Sequence, residues 1–154
     1  MVGIVIVSHG KLAEAMISSA RFILGGLKNI RGVSIWPKEN PKKTGERIQK
    51  QMAAVNDGDG VLILTDILGG TPTNLTLPLL KEENVEVVTG VNIPMLVTVS
   101  SYRKGRSLEE VAALVKKSGR RSIVMAKKVF GLKRSLPEQK PQPKEPIPGG
   151  IGAE

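Results

Sequence analysis

No cysteine occurs in the 154-residue chain. Disulfides, thiolate zinc sites and thiol nucleophiles are thereby excluded, and the composition suits a reducing compartment. Histidine occurs once, as His9, so a histidine-rich metal site is impossible, and neither metal nor cofactor is expected. Only four side chains are aromatic, Phe22, Trp36, Tyr102 and Phe130, so the core has to be aliphatic. Long apolar runs are missing too. Met1 to Val7 is too short to cross a bilayer and has no basic segment before it, so neither a signal peptide nor a membrane helix is expected and the location should be cytoplasmic. Several catalytic patterns are also absent: Gly-x-Ser-x-Gly, Gly-x-x-x-x-Gly-Lys-[Ser/Thr], Gly-x-Gly-x-x-Gly, and the acidic cluster that a receiver domain needs after its first strand.

What is present fits one domain, expected over residues 1–130, with a tail over 131–154, where five of the ten prolines lie among few apolar residues. Such a tail buries too little surface to offset its ordering entropy and should be flexible. The formal net charge of +9 is uneven: residues 101–134 hold 11 Lys and Arg against 2 Asp and Glu, whereas residues 1–100 hold 10 against 9. That excess is either a solvated basic face or a surface for an acidic partner. Nucleic acid is not expected, because no recognition motif or aromatic set accompanies the charge.

Apolar runs and helical periodicities alternate along the chain. Gly3 to Ser8 reads as a strand, and Leu12, Met16, Ala20, Ile23, Leu24 and Leu27 read as the buried stripe of a helix ending near Gly25-Gly26. Gly32 to Trp36 is a second strand. Asn40-Pro41 then caps a helix whose stripe is Ile48, Met52 and Val55. Val61 to Thr65 is a third strand, and Thr71 is expected to cap a helix with Pro72 at its first position. That helix should run toward Glu83 with a kink or early stop at Pro78. Val85 to Thr89 is the fourth strand, and Asn92 caps a short helix. Ser107-Leu108-Glu109-Glu110 is a capping box before a helix that buries Leu108, Val111, Ala112 and Val115 and closes at Gly119. Ser122 to Ala126 is a candidate fifth strand.

Alternation of this kind implies an α/β, doubly wound, mainly parallel sheet. With right-handed crossovers and strand order 2-1-3-4, the winding reverses between strands one and three, and ligands bind at such a switch point. His9 follows one of those strands and Asp66 the other. A neutral imidazole attacks through its unprotonated nitrogen, while a carboxylate on the other nitrogen fixes the tautomer and stabilises the developing cation. Between Asp66 and Asn74 runs Ile67-Leu68-Gly69-Gly70-Thr71-Pro72-Thr73, a turn into a helix start. Gly69, Gly70 and Thr71 offer N–H groups and a hydroxyl for a phosphoryl group. The expected chemistry is therefore phosphoryl transfer through a phosphohistidine on His9, with Asp66 orienting the ring and Thr71 touching the phosphoryl group.

Three motifs in order, Ile4-Val5-Ile6-Val7-Ser8-His9-Gly10, Asp66 with Gly69-Gly70-Thr71-Pro72-Thr73-Asn74, and Gly90-Val91-Asn92-Ile93-Pro94-Met95-Leu96, resemble the mannose-family enzyme IIA domain (EIIA) of the bacterial phosphoenolpyruvate-dependent sugar phosphotransferase system (PTS). The resemblance covers about residues 1–130. It implies that His9 accepts phosphate from phospho-HPr and donates it to an EIIB component, here expected as a separate protein. It also implies a homodimer in which a fifth, antiparallel strand around Ser122 to Ala126 crosses to the partner. Membrane contact is then only indirect, through an EIIC/EIID complex. The alternative is a regulatory phospho-acceptor read by a transcription factor or kinase. Three features depart from the family pattern: the basic 101–134 segment, Pro78 inside a usually continuous helix, and a linker-like proline-rich tail.

Overall fold

Four runs of β-branched and leucine side chains make the centre of the molecule: β1 (Gly3–His9), β2 (Ile30–Ile35), β3 (Val61–Thr65) and β4 (Val85–Thr89). A computed structural model describes residues 1–130 of the chain. The expected tail, 131–154, lies outside the described residues. The strands form one parallel sheet in the expected order, β2-β1-β3-β4. A parallel sheet covered on both faces needs strands that are apolar throughout. The central strands comply, with six of seven β1 residues and all of β3 buried.

Alternation along β1 sends its side chains to two separate cores. Ile4 and Ile6, with Leu62 and Leu64 of β3, meet Met16, Ile17 and Ala20 of α1 (Leu12–Leu24), Leu96 and Val99 of α4 (Ile93–Tyr102), and Val111 and Val115 of α5 (Leu108–Arg121). Val5 and Val7, with Val61 and Ile63, meet Ile48, Met52 and Val55 of α2 (Pro41–Val55). Each fully buried aliphatic side chain contributes about 1.5–3 kcal/mol relative to exposure, so the two layers together hold the sheet edge on which the site is built.

Helix starts follow their capping residues. Asn40 Oδ1 accepts from the N–H groups of Lys42 and Lys43, Asn92 Oδ1 from Met95, and Ser107 with Glu110 completes the reciprocal box. The helix after β3 stops early, as Pro78 requires: α3 covers only Thr71–Thr76, and Leu77–Lys81 continues as a 3-10 turn.

Four local expectations need correction. Helix α1 buries Ala13, Met16, Ile17 and Ala20, whereas Leu12 and Ile23 are exposed, because apolar residues occupy both sides of this helix and the sheet selects the small-residue side. Gly70, not Thr71, is the cap of α3, and Thr71 is its first helical residue. Gly119 does not end α5 but lies inside it, where a Cβ would come within 2.8 Å of the Met95 side chain; its smallness lets α5 approach α4. Ser122 to Ala126 forms no strand within the single chain: Ile123–Met125 carry no regular structure, and Ala126 opens α6 (Ala126–Phe130), with Val129 N–H donating to Met125 O at 3.3 Å. A strand needs a ladder partner to satisfy its backbone, and the described residues of this chain provide none for that segment. The chain divides into two units, residues 1–123 and Val124 onward; of the second, residues 124–130 are the part described.

Arg103 shows that the basic segment is partly structural. It is 2 % exposed, and its guanidinium donates to Val2 O at 2.8 Å, to Asn29 O at 3.2 Å and to Lys28 O, tying the start of β1 to the entry of β2. Burial pushes its pKa down, opposed by the field of Asp57; the two terminal nitrogens are bonded, whereas the buried Nε has no partner among the described residues. Arg120 and Arg121 sit in the last turn of α5, where cations complement the helix dipole. Arg103→Ala should destabilise the fold by about 3 kcal/mol, because three carbonyls lose a charged donor. Denaturant unfolding of the two proteins checks this.

Candidate active site

The register between β1 and β3 pairs Val7 with Thr65. His9 lies two residues beyond the first and Asp66 one beyond the second, so their side chains meet just past the C-terminal edge of the sheet. The His9 Nδ1 to Asp66 Oδ2 distance is 2.8 Å. A carboxylate can only accept, so Nδ1 carries the proton and Nε2 keeps its lone pair. The same Oδ2 accepts the His9 backbone N–H at 2.8 Å, and Oδ1 accepts the Ile67 N–H at 2.9 Å. Asp66 is thus held at three points, with its side chain 12 % exposed, while the His9 side chain is 51 % exposed and open to a macromolecular partner.

The electrostatics follow from these contacts. Burial alone would raise the Asp66 carboxyl. The backbone N–H of His9, the imidazole and the Ile67 N–H outweigh burial and hold the carboxyl below its ordinary value.

Around this pair the chain is drawn tight. Ser8 is buried, and its Oγ accepts the Ala13 N–H at 2.7 Å, which fixes the start of α1 directly after His9-Gly10. Gly10 adopts φ +54°, a region that suits glycine, and passes against the Trp36 ring. Gly70 faces the imidazole so closely that a Cβ there would lie 3.0 Å from His9 Cε1 and 3.6 Å from Nε2. The glycine therefore lets backbone approach the free ring nitrogen. The Gly70 and Thr71 N–H groups precede the first intrahelical bond, Asn74 N–H to Gly70 O at 3.0 Å, and so have no acceptor within α3. Gly69, at φ +80°, has open space where a side chain would be.

A cavity of about 520 Å³ opens beside the imidazole, with Thr71, Trp36, Lys38, Pro41 and Leu75 in its wall. His9, Asp66, Gly70 and Thr71 are therefore neighbours at one sheet edge, while Gly69 shapes the turn through its positive φ. Trp36 and Lys38 escaped the sequence reading. They reach the site because β2 pairs with β1 so that its last residue, Ile35, lies opposite His9, and the turn that follows carries both; strand order was the signal that would have found them. Thr73 was also missed. It is fully buried, and its Oγ1 lies 3.0 Å from Thr65 Oγ1 and donates to Ile67 O at 2.6 Å, fastening the Asp66 turn from inside. Among the described residues no cluster of three or more His, Cys, Asp or Glu is placed to hold a metal, and no helix is long and apolar enough to cross a membrane.

Comparison with known proteins places this arrangement. A family model described as the PTS system fructose IIA component, EIIA-man, matches residues 3–116. The chain is 36% identical over 124 residues to the PTS system mannose-specific EIIAB component of Escherichia coli K12, covering 79% of this chain and 38% of that protein. It thus spans about two-fifths of that relative's length. It is 28% identical over 124 residues to the PTS system fructose-specific EIIA component of Bacillus subtilis, covering 80% of this chain and 85% of that protein. The crystal structure of a PTS component EIIA from Streptococcus agalactiae superposes with a TM-score of 0.76 at 26% identity, covering 83% of this chain and 99% of that one. With the family match spanning most of the chain, and with the parallel 2-1-3-4 sheet beneath it, the protein belongs to the mannose family of EIIA components of the bacterial sugar phosphotransferase system.

Proposed function

We propose that this chain is a phosphocarrier that takes a phosphoryl group from phospho-HPr onto His9 and passes it to an EIIB component for sugar uptake and phosphorylation. One observation carries the reading. Asp66 occupies Nδ1 of His9 at 2.8 Å, which leaves Nε2 as the nucleophilic nitrogen, exposed and beside the glycine turn.

Attack by Nε2 on phosphorus turns the ring into a cation, and the Asp66 carboxylate offsets that charge as it forms. Thr71 and the N–H groups of Gly70 and Thr71 hold the equatorial oxygens, with Gly69 setting the path of the turn. The nitrogen–phosphorus bond is labile, which suits relay between proteins. Exposure of half the His9 side chain supports transfer between two protein surfaces rather than within a closed pocket.

The working form is a homodimer in the cytoplasm, with the membrane reached only through an EIIC/EIID complex. Among the described residues the outer edge of β4 is unpaired and Ile123, Val124 and Met125 are exposed without a ladder, which supports strand exchange, because a second copy would satisfy both.

Incubation with phosphoenolpyruvate, enzyme I and HPr tests the reading. Acid-labile phosphate on His9, discharged when an EIIB protein is added, is the expected result. A chain that stays unlabelled where a related EIIA is labelled would overturn it.

A further inference from the structure

A phosphoryl group arrives at this site carrying negative charge, and the nearest ionised group described so far, Asp66, is itself negative. Of the charged residues that line the cavity beside His9, Glu39 is engaged. It accepts from the Thr44 hydroxyl at 2.9 Å and pairs with Arg47 at 3.2 Å. The other is Lys38. Among the described residues Lys38 takes part in none of the three ion pairs, and it is exposed at the cavity wall.

Its backbone sharpens the point. Trp36 to Glu39 form a turn closed by Glu39 N–H donating to Trp36 O at 3.3 Å, with Pro37 second and Lys38 third. Lys38 has φ +67°. A third turn position of positive φ is ordinarily glycine, or asparagine, because a Cβ there is crowded by the backbone. Asn29, the other non-glycine residue in this region, is of a type that tolerates it; lysine is not. Backbone strain of this sort persists where the side chain is needed, and it clusters at working sites.

We propose that Lys38 is the cation of the phosphoryl-transfer site, its ammonium contacting the phosphoryl oxygens as the group passes to and from Nε2 of His9. This rests on the phosphocarrier reading above. The nitrogen–phosphorus bond of the donor's phosphohistidine breaks as the bond to Nε2 forms, and its electron pair returns to the donor ring. The Nδ1 proton stays on His9 against Asp66. Lys38 acts by charge alone, offsetting the equatorial oxygens opposite the Gly70 and Thr71 N–H groups.

Strain makes the test discriminating, because stability and transfer should change in opposite senses. Phosphate transfer from phospho-HPr to the full chain would be followed at several donor concentrations for the wild type, Lys38→Gly, Lys38→Asn and Lys38→Arg, with thermal unfolding measured in parallel. Lys38→Gly should unfold at a temperature no lower than the wild type, yet lose about tenfold or more in kcat with little change in KM. Lys38→Asn should behave alike, and Lys38→Arg should recover part of the loss. Transfer at the wild-type rate in both the glycine and asparagine variants would overturn the assignment, as would a change confined to KM, which would make Lys38 a docking residue only. If the wild type itself takes no phosphate, the phosphocarrier reading fails first; if the wild type is labelled and the variants are equally fast, only the role of Lys38 is lost.

Discussion

Replacing His9 with glutamine should abolish phosphate uptake, leaving less than about one part in ten thousand of the wild-type transfer rate. The loss is near-total because the chain holds one histidine and no cysteine, so no second imidazole and no thiol can take its place. The fold should be almost untouched. His9 is half exposed, and the bond from its backbone N–H to Asp66 does not depend on the side chain. Labelling from phosphoenolpyruvate, with circular dichroism and an unfolding curve to verify the fold, reads both halves. Residual labelling at the wild-type rate would move the phosphorylation site elsewhere.

Asp66→Asn should slow transfer by about a hundred- to ten-thousand-fold while the protein still folds. An amide presents one acceptor where the carboxylate presents two. Oδ2 now serves both the backbone and the ring of His9, and Oδ1 serves Ile67. If the amide nitrogen faces the ring, it donates to Nδ1, the ring proton shifts to Nε2, and the nucleophilic lone pair is gone. If the amide oxygen faces the ring, the tautomer survives but the charge that offsets the imidazolium is lost, and Ile67 N–H meets an NH₂ group. Each arrangement costs rate. Each also costs on the order of 1–2 kcal/mol of stability through an unpaired backbone donor, the His9 N–H in the first arrangement and the Ile67 N–H in the second.

The same substitution has a signature in pH. Because the Asp66 carboxyl is held below its ordinary value in the folded chain, the unfolded chain binds more protons in the interval between the two values, and stability there rises with pH. The contribution is complete above the unfolded carboxylate value and is lost as pH falls through the lower, folded value. The stability difference between wild type and Asp66→Asn should therefore be widest near neutrality and should shrink on acidification. A difference independent of pH from neutrality down to below the folded value would mean that the Asp66 charge contributes nothing to holding the turn.

Much of this architecture was legible because local signals agreed with the global pattern. Asn40, Asn92 and Ser107 each stand at the head of a helix and each bonds the N–H groups that a helix start leaves open. Apolar runs too short for helices lay between them, and the right-handed crossover rule left few strand orders. The meeting of His9 with Asp66 then follows from topology, since His9 ends one strand and Asp66 directly follows the end of its parallel neighbour.

What escaped the sequence depended on contacts between distant residues. Arg103 lies in a segment whose charge reads as surface, yet it is buried against carbonyls of Val2, Lys28 and Asn29, and nothing in the local sequence marks it. Gly119 resembles a helix stop, but Met95 of the neighbouring helix determines its role. The cap of α3 moved by one residue because Gly70 already has the extended backbone a cap requires, and its lack of a side chain is what admits the imidazole. Ser122 to Ala126 has the composition of a strand without a ladder partner among the described residues of its own chain. Composition specifies an appetite for pairing, not the pairing itself.

The central claim is that Asp66 commits one ring nitrogen of His9 and thereby dedicates the other to phosphorus. Nitrogen-15 and phosphorus-31 spectra of the phosphorylated protein, with its single histidine labelled, test this directly. The account predicts phosphorus coupled to Nε2 and a proton retained on Nδ1. Phosphorus bonded to Nδ1 would contradict it, because that nitrogen is turned into the carboxylate of Asp66 at 2.8 Å.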